Sequence, residues 1–238
     1  MSLPKLQSPY FPVKLHGSGK TIKIRPFTVK EEKILMMAGQ DKDDTNFILE
    51  SIFQVLDLCI QGEDINARNL ATFDVENLFI HLRSKSVSNI AKVRFKDDED
   101  EKTYEVEVDL DKVVVSVPED HTNKITLNDE YVVTMKYPTF GDFGEATTKG
   151  ESVDPMALVI KSLDKLVNVG TNEVFDLQNE YSPKEVSEFV DSFTSKNMRD
   201  IEQFYNSLPT VKLEVEYITE GNVAKKKEIV GLVNFFTL

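Results

Sequence analysis

The chain has 238 residues, 40% hydrophobic and 29% charged, the balance of an ordinary soluble globular protein long enough to bury a substantial core. Its 28 basic and 41 acidic side chains leave a net charge of −13, which repels a phosphate backbone and disfavours nucleic-acid binding. A single cysteine, Cys59, excludes an intramolecular disulfide and fits a reducing compartment.

Pro4, Pro9 and Pro12 keep the N-terminus extended, as an arm that lies along something rather than folding alone. Val13–Leu15 and Thr21–Arg25 flank the segment His16-Gly17-Ser18-Gly19-Lys20 and predict a β-hairpin. Pro26 stops the second strand, and Thr28 with Glu31 has the spacing of a capping box. Phe27, just outside that cap, can staple the helix entry. A helix follows over Val29–Ala38, with Ile34, Leu35 and Ala38 at helical spacing. After the polar break Asp41–Asp44, a second helix is predicted from Thr45 to Ile60. It is apolar on two faces, Ile48, Ile52, Val55 and Cys59 on one, Phe53, Leu56 and Ile60 on the other. Such a helix is covered on both sides and belongs at the centre of the N-terminal core. Val75, Leu78, Phe79 and Leu82 give a third helix, with Thr72 or Asp74 as its cap.

Beyond Ser88 the period changes to two. Val93 and Phe95 alternate with polar neighbours, and Tyr104, Val106, Val108 and Leu110 return. Further strands are predicted at Val113–Val117, Lys124–Leu127 and Tyr131–Lys136. Residues 138–152, with three glycines, read as a linker or exposed loop. A helix over Pro155–Leu166 and a hairpin of Leu166–Val169 with Glu173–Phe175 come next. Ser182 and Glu185 form a second capping box before the stripe Val186, Phe189, Val190 and Phe193. The helix at 196–207 offers a complementary stripe of Met198, Ile201, Phe204, Tyr205 and Leu208. Pro209 ends it, and a last hairpin runs Val211–Ile218 and Lys225–Val230. The predicted class is α+β: an N-terminal β-hairpin with a three-helix unit (1–89), a central antiparallel β region (90–137), the loop, and C-terminal paired helices with β-hairpins (153–238).

The chemical motifs fail their context. Gly17-Ser18-Gly19-Lys20-Thr21 resembles a phosphate loop, but Lys14 stands where the pattern needs glycine and a strand follows instead of a helix. Asp41–Asp44 resembles a calcium loop, but Asn46 and Ile52 occupy its glycine and bidentate-carboxylate positions. The run Asp97-Asp98-Glu99-Asp100-Glu101 reads as a solvated turn that discourages edge pairing, with a cation or a basic partner as the alternative. His16, His81 and His121 have no metal-ligand spacing, His81 falls on a surface or interface, and Cys59 is expected as an inert core thiol. No signal-peptide core and no long apolar run is present, so a cytoplasmic chain without a membrane span is expected. No catalytic residue, cofactor or metal is predicted.

One ordered set of motifs runs through the chain. It comprises Leu3-Pro4-Lys5-Leu6, Pro9, Phe11-Pro12, Gly19-Lys20, the run Arg25-Pro26-Phe27-Thr28-Val29, Phe73-Asp74-Val75-Glu76-Asn77-Leu78-Phe79, Leu82-Arg83-Ser84-Lys85-Ser86-Val87 and Gly231-Leu232-Val233-Asn234-Phe235-Phe236. The set resembles the baseplate hub assembly family of T-even-like contractile-tailed bacteriophages, most strongly over the first 95 or so residues. The resemblance implies a non-enzymatic role in building the tail hub, in the host cytoplasm during assembly and in the virion baseplate. The implied partners are other baseplate hub proteins or the tape-measure protein; the oligomeric state is not implied. A hub subunit, a tape-measure chaperone absent from the virion, and a generic interaction module outside phage biology are the competing roles. The expected contact residues are Leu3, Leu6, Phe11, Arg25, Phe27, Phe235 and Phe236, with core packing as the other reading of each. Relatives often carry paired cysteines, in a zinc-ribbon arrangement, in hairpins matching 96–103 and 218–226. Neither segment has one here, so zinc is not carried over, and ladder bonds with cross-strand pairs are expected to hold both tips alone.

Overall fold

Among residues 6–40, 44–62, 65–146 and 154–231, which the computed structural model describes, twelve strands and seven α-helices form an α+β fold. They group into two units, residues 1–116 with 210–238, and residues 117–209.

In the first unit, β1 (Phe11–Lys14) and β2 (Thr21–Ile24) make the N-terminal hairpin, with Gly19 at φ 71° in its turn. The two-residue β3 (Ile60–Gln61) joins the other side of β2. Because β1 is an edge strand, Pro12 is tolerated inside it and the strand starts at Phe11 rather than Val13. Three helices follow: α1 (Val29–Ala38), α2 (Thr45–Cys59) and α3 (Thr72–Ser86). The double-faced pattern of α2 is explained by burial, since Ile52, Phe53, Val55, Leu56 and Cys59 are all no more than 5% exposed.

The start of α3 departs from expectation. Neither Thr72 nor Asp74 caps it; Ala71 occupies that position. Asp74 is buried, and its carboxylate instead accepts the amides of His16 (2.6 Å) and Gly17 (3.0 Å), 58 and 57 residues away. Two charge-assisted bonds to a loop that would otherwise bury unpaired amides outweigh a local cap.

The central β region begins with the hairpin of β4 (Ile90–Lys96) and β5 (Thr103–Asp109). β6 (Val114–Ser116) pairs with β11 (Thr210–Ile218), which pairs in turn with β12 (Ala224–Val230). The chain thus leaves this unit at Ser116 and returns at Thr210, directly opposite in the ladder.

The tips of the two long hairpins meet, which corrects two expectations. Asp97 does not sit in a solvated turn: it is 2% exposed and accepts from the Tyr217 hydroxyl, Lys225 Nζ (3.1 Å) and the amides of Glu99 (2.8 Å) and Asp100 (3.1 Å). Nor do ladder bonds hold the tips alone. Lys225 also reaches Glu99, Lys227 reaches Asp98, and Lys102 pairs with Glu220. Beneath these ions the Tyr217 ring packs against Phe95 and Tyr104, at centroid distances of 4.9 and 5.2 Å.

The second unit is built on a sheet in the order β10-β9-β8-β7, from β7 (Lys124–Thr126), β8 (Tyr131–Met135), β9 (Leu163–Asn168) and β10 (Val174–Asp176). Its helices are α4 (Phe140–Ala146), α5 (Pro155–Ser162), α6 (Pro183–Val190) and α7 (Ser195–Asn206). The helix expected to reach Leu166 stops at Ser162, because Leu163–Asn168 is taken up as an inner strand between β8 and β10. Within the span read as a loop, Phe140–Ala146 is helical. Asp142 starts it by accepting the amide (2.8 Å) and hydroxyl (2.9 Å) of Thr139. The stripes of α6 and α7 feed one core with Val133, Met135 and Leu163.

Asp97 has its carboxyl held well below the usual range, chiefly by the Tyr217 hydroxyl and then by the Glu99 amide, despite its burial. A depressed carboxyl contributes above its ordinary value of 3.8 and loses that contribution as the pH falls. At neutral pH, Asp97→Ala should speed amide hydrogen exchange in both tips, 98–102 and 219–223, and leave α3 unchanged. Equal exchange in the tips of both proteins would show that this cluster does not hold them.

Candidate interaction surface

The surface is set by the joint between β2 and α1. Pro26 ends the strand, and the chain turns into α1 with the capping box of Thr28 and Glu31 formed. Glu31 is the side chain that fixes the helix's rotation. Its carboxylate accepts the amide (2.7 Å) and hydroxyl (2.6 Å) of Thr28 and pairs with Arg25 at 3.2 Å. The same Arg25 guanidinium donates to Pro26 O (3.0 Å) and, at the end of α2, to Leu58 O (2.9 Å). The amide of Phe27 donates to Ser86 Oγ (2.9 Å) at the end of α3, and that hydroxyl donates to Leu82 O (2.6 Å). One turn of chain is thereby tied to the ends of two helices.

Rotation of α1 has a consequence for its other face. With Glu31 and Ala38 buried and Ile34 and Leu35 half-buried, the opposite stripe points to solvent. It carries Val29, 65% exposed, and Met36 and Met37, each 62% exposed, with Lys30 and Lys33 beside them. A ten-residue helix that buries a carboxylate and exposes three apolar side chains is inverted relative to an ordinary surface helix. Sequence reasoning missed these three residues. The signal was present, since 29, 36 and 37 fall on the helix face opposite 34, 35 and 38.

Of the contact residues expected from sequence, Leu3, Phe235 and Phe236 lie outside the described residues. Leu6 is fully exposed in the arm. Phe11 is half-buried, with Lys85 Nζ 6.0 Å from its ring centre. Arg25 and Phe27 are part-buried in the joint just described, where the Arg25 side chain is 22% exposed and engaged with this chain's own groups.

His121 lies 2.9 Å from Ser207 Oγ and 2.9 Å from Tyr137 Oη, a serine–histidine contact invisible in the sequence because 86 residues separate the pair. Ser207 is buried, and its hydroxyl donates to the α7 carbonyl of Gln203 (2.7 Å), so it is committed to ending that helix rather than poised for attack. Burial pushes the Cys59 thiol up to about 11, which keeps it protonated and unreactive at neutral pH. Among the described residues no group of three or more His, Cys, Asp or Glu is arranged to hold a metal, and no helix is long and apolar enough to cross a membrane.

The inverted, apolar-faced helix is a surface suited to contact with another chain. The family model of the T4 bacteriophage base plate protein matches residues 8–237, and the chain belongs to that family. No curated protein and no solved structure matches it.

Burial opposes ionisation of Glu31, yet the bonds from Arg25 and Thr28 prevail and hold its carboxyl at about 2. Its stabilisation is complete above the ordinary value of 4.5 and is lost as the pH falls towards about 2. Glu31→Gln should therefore cost on the order of 1–2 kcal/mol at neutral pH, after discounting for solvent that screens Arg25. The cost should shrink through that acid window. Urea unfolding across the same pH range checks this, and a pH-independent difference would contradict it.

Proposed function

We propose that this chain acts without catalysis, as a baseplate hub subunit or hub assembly factor that binds other tail proteins through the outward face of α1. The exposure of Val29, Met36 and Met37 carries this reading. Burying three such side chains against a partner supplies about 3–6 kcal/mol, enough for a specific contact once a polar rim is added. The chemistry of the partner follows from charge. Residues 1–40 hold seven basic and two acidic side chains in a chain whose net charge is −13, so this end favours an acidic, amphipathic helix.

One observation supports the second role, a chaperone of the tape-measure protein that leaves before the virion is complete. Adjacent methionines adapt to helices of differing shape, as a transient binder requires. Mass spectrometry of purified virions separates the two: peptides of this chain are expected in the particle for a hub subunit and absent for a chaperone.

Met36→Asp with Met37→Asp should shift the chain's own stability little, by about 0.5 kcal/mol or less, because both side chains face solvent. Co-purification of tail proteins from infected cells should fall by about a hundredfold, since two apolar anchors become desolvated charges. Undiminished recovery of the same partners would remove α1 from the interface. Recovery of metabolic enzymes in place of tail proteins would refute the hub reading itself.

A further inference from the structure

Two strand edges face each other in the first unit without being bonded together. β6 covers β11 only at Thr210, Val211 and Lys212, so the edge from Leu213 to Ile218 has no strand partner among the described residues. β5 pairs with β4 on one side, and no described strand takes its other side. Between them lies a cleft of about 620 Å³, lined by the consecutive residues Val106–Asp109 and Leu213–Glu216. Consecutive rather than alternate lining residues mean that the cleft meets backbone edges, and Glu228 of β12, opposite Glu214, extends it onto the exposed face of that sheet.

The bonding pattern says which backbone groups look into it. The Gly231 amide bonds Val211 O, so odd-numbered residues of β11 address β12, and the amides and carbonyls of Glu214 and Glu216 turn the other way. The Leu110 amide bonds Asn89 O, so even-numbered residues of β5 address β4, and the backbone of Glu107 turns towards the cleft. Side chains sort by face. Val108, Leu213 and Val215 are buried and Val106 is half-buried, whereas Glu107, Glu214, Glu216 and Glu228 are exposed. Glu214 and Glu216 share Lys226 (2.7 and 3.1 Å) and Glu228 pairs with Lys212 (3.0 Å), so the acids of the cleft still outnumber its cations and an incoming cation would share or displace those lysines. The cleft is closed at one end by Lys112, Val114 and Ser116, and the Asp97–Lys225 cluster lies at the other end of the two strands.

We propose that this cleft is a strand-acceptor site, and that its occupant is an extended segment of a partner protein in which apolar and basic residues alternate. Such a strand would take up the free backbone groups of β5 and β11, set its apolar side chains beside Val108, Leu213 and Val215, and place its cations among the glutamates. Charge decides between occupants. A second copy of this chain would bring the same acidic edges, and like charges facing each other repel, so self-pairing is disfavoured. The site is separate from α1, and nothing in it depends on the hub assignment.

The test is fluorescence anisotropy of the full chain with a labelled, end-capped hexapeptide alternating lysine and valine. Saturable binding is expected, about tenfold weaker with Glu107→Lys plus Glu216→Lys, because two complementary rim charges become repulsive. The same peptide N-methylated on alternate amides should not bind, since it cannot complete the ladder. If the double variant does not fold, the two peptides decide the matter with the wild-type chain. Absence of saturable binding, or equal binding of the methylated peptide through charge alone, would overturn the proposal. So would a dimer in sedimentation that the peptide dissociates, which would give the cleft to a second copy. Any of these failures leaves co-purification of tail proteins through α1 unaffected.

Discussion

The ion pair of Glu31 with Arg25 is the constraint from which the N-terminal half takes its form. A carboxylate with a 5% exposed side chain is tolerated only because Thr28 and Arg25 satisfy it. Arg25 in turn is held by the backbone at the end of α2. That closed circuit leaves α1 no freedom to roll its methionines inward. An ordinary amphipathic helix would hide Met36 and Met37 and show its acid to water. Here local stability and an exposed apolar face are two results of the same bonds.

The sequence displayed the elements whose causes are local. Pro26, Thr28 and Glu31 mark the strand-to-helix joint; the alternation through Val93–Leu110 marks a hairpin; Ser182 and Glu185 mark the start of α6. Tertiary causes were hidden. Asp74 has the composition of a helix cap, and only the position of the His16–Gly17 loop diverts it. Leu163 continues the helical pattern of α5, and only its place between two strands converts it. The acidic run at 97–101 looks solvated until the tip carrying Tyr217 and Lys225, some 120 residues on, arrives to bury Asp97. The site was legible to the same degree: the joint could be read from spacing, but the outward turn of Val29, Met36 and Met37 follows from which face Glu31 must occupy.

Charge is distributed to the same end as shape. The basic N-terminal segment and the acidic edges of β5 and β11 belong to one unit, and on the proposed reading each would favour a partner of opposite sign. Hydrogen-bonded ions inside that unit, at Glu31, Asp74 and Asp97, are spent on holding loops and tips. A member of a base plate family needs surfaces that persist without a partner, and satisfied internal charges are how this chain keeps them rigid.

Crosslinking mass spectrometry of tail assemblies isolated from infected cells tests the central claim most directly. The claim places Lys30 and Lys33, beside the α1 stripe, in crosslinks to another tail protein and makes both less reactive in the assembly than in the free chain. Two lysines that stay fully reactive in the assembly, with every intermolecular crosslink arising elsewhere on the chain, would contradict it.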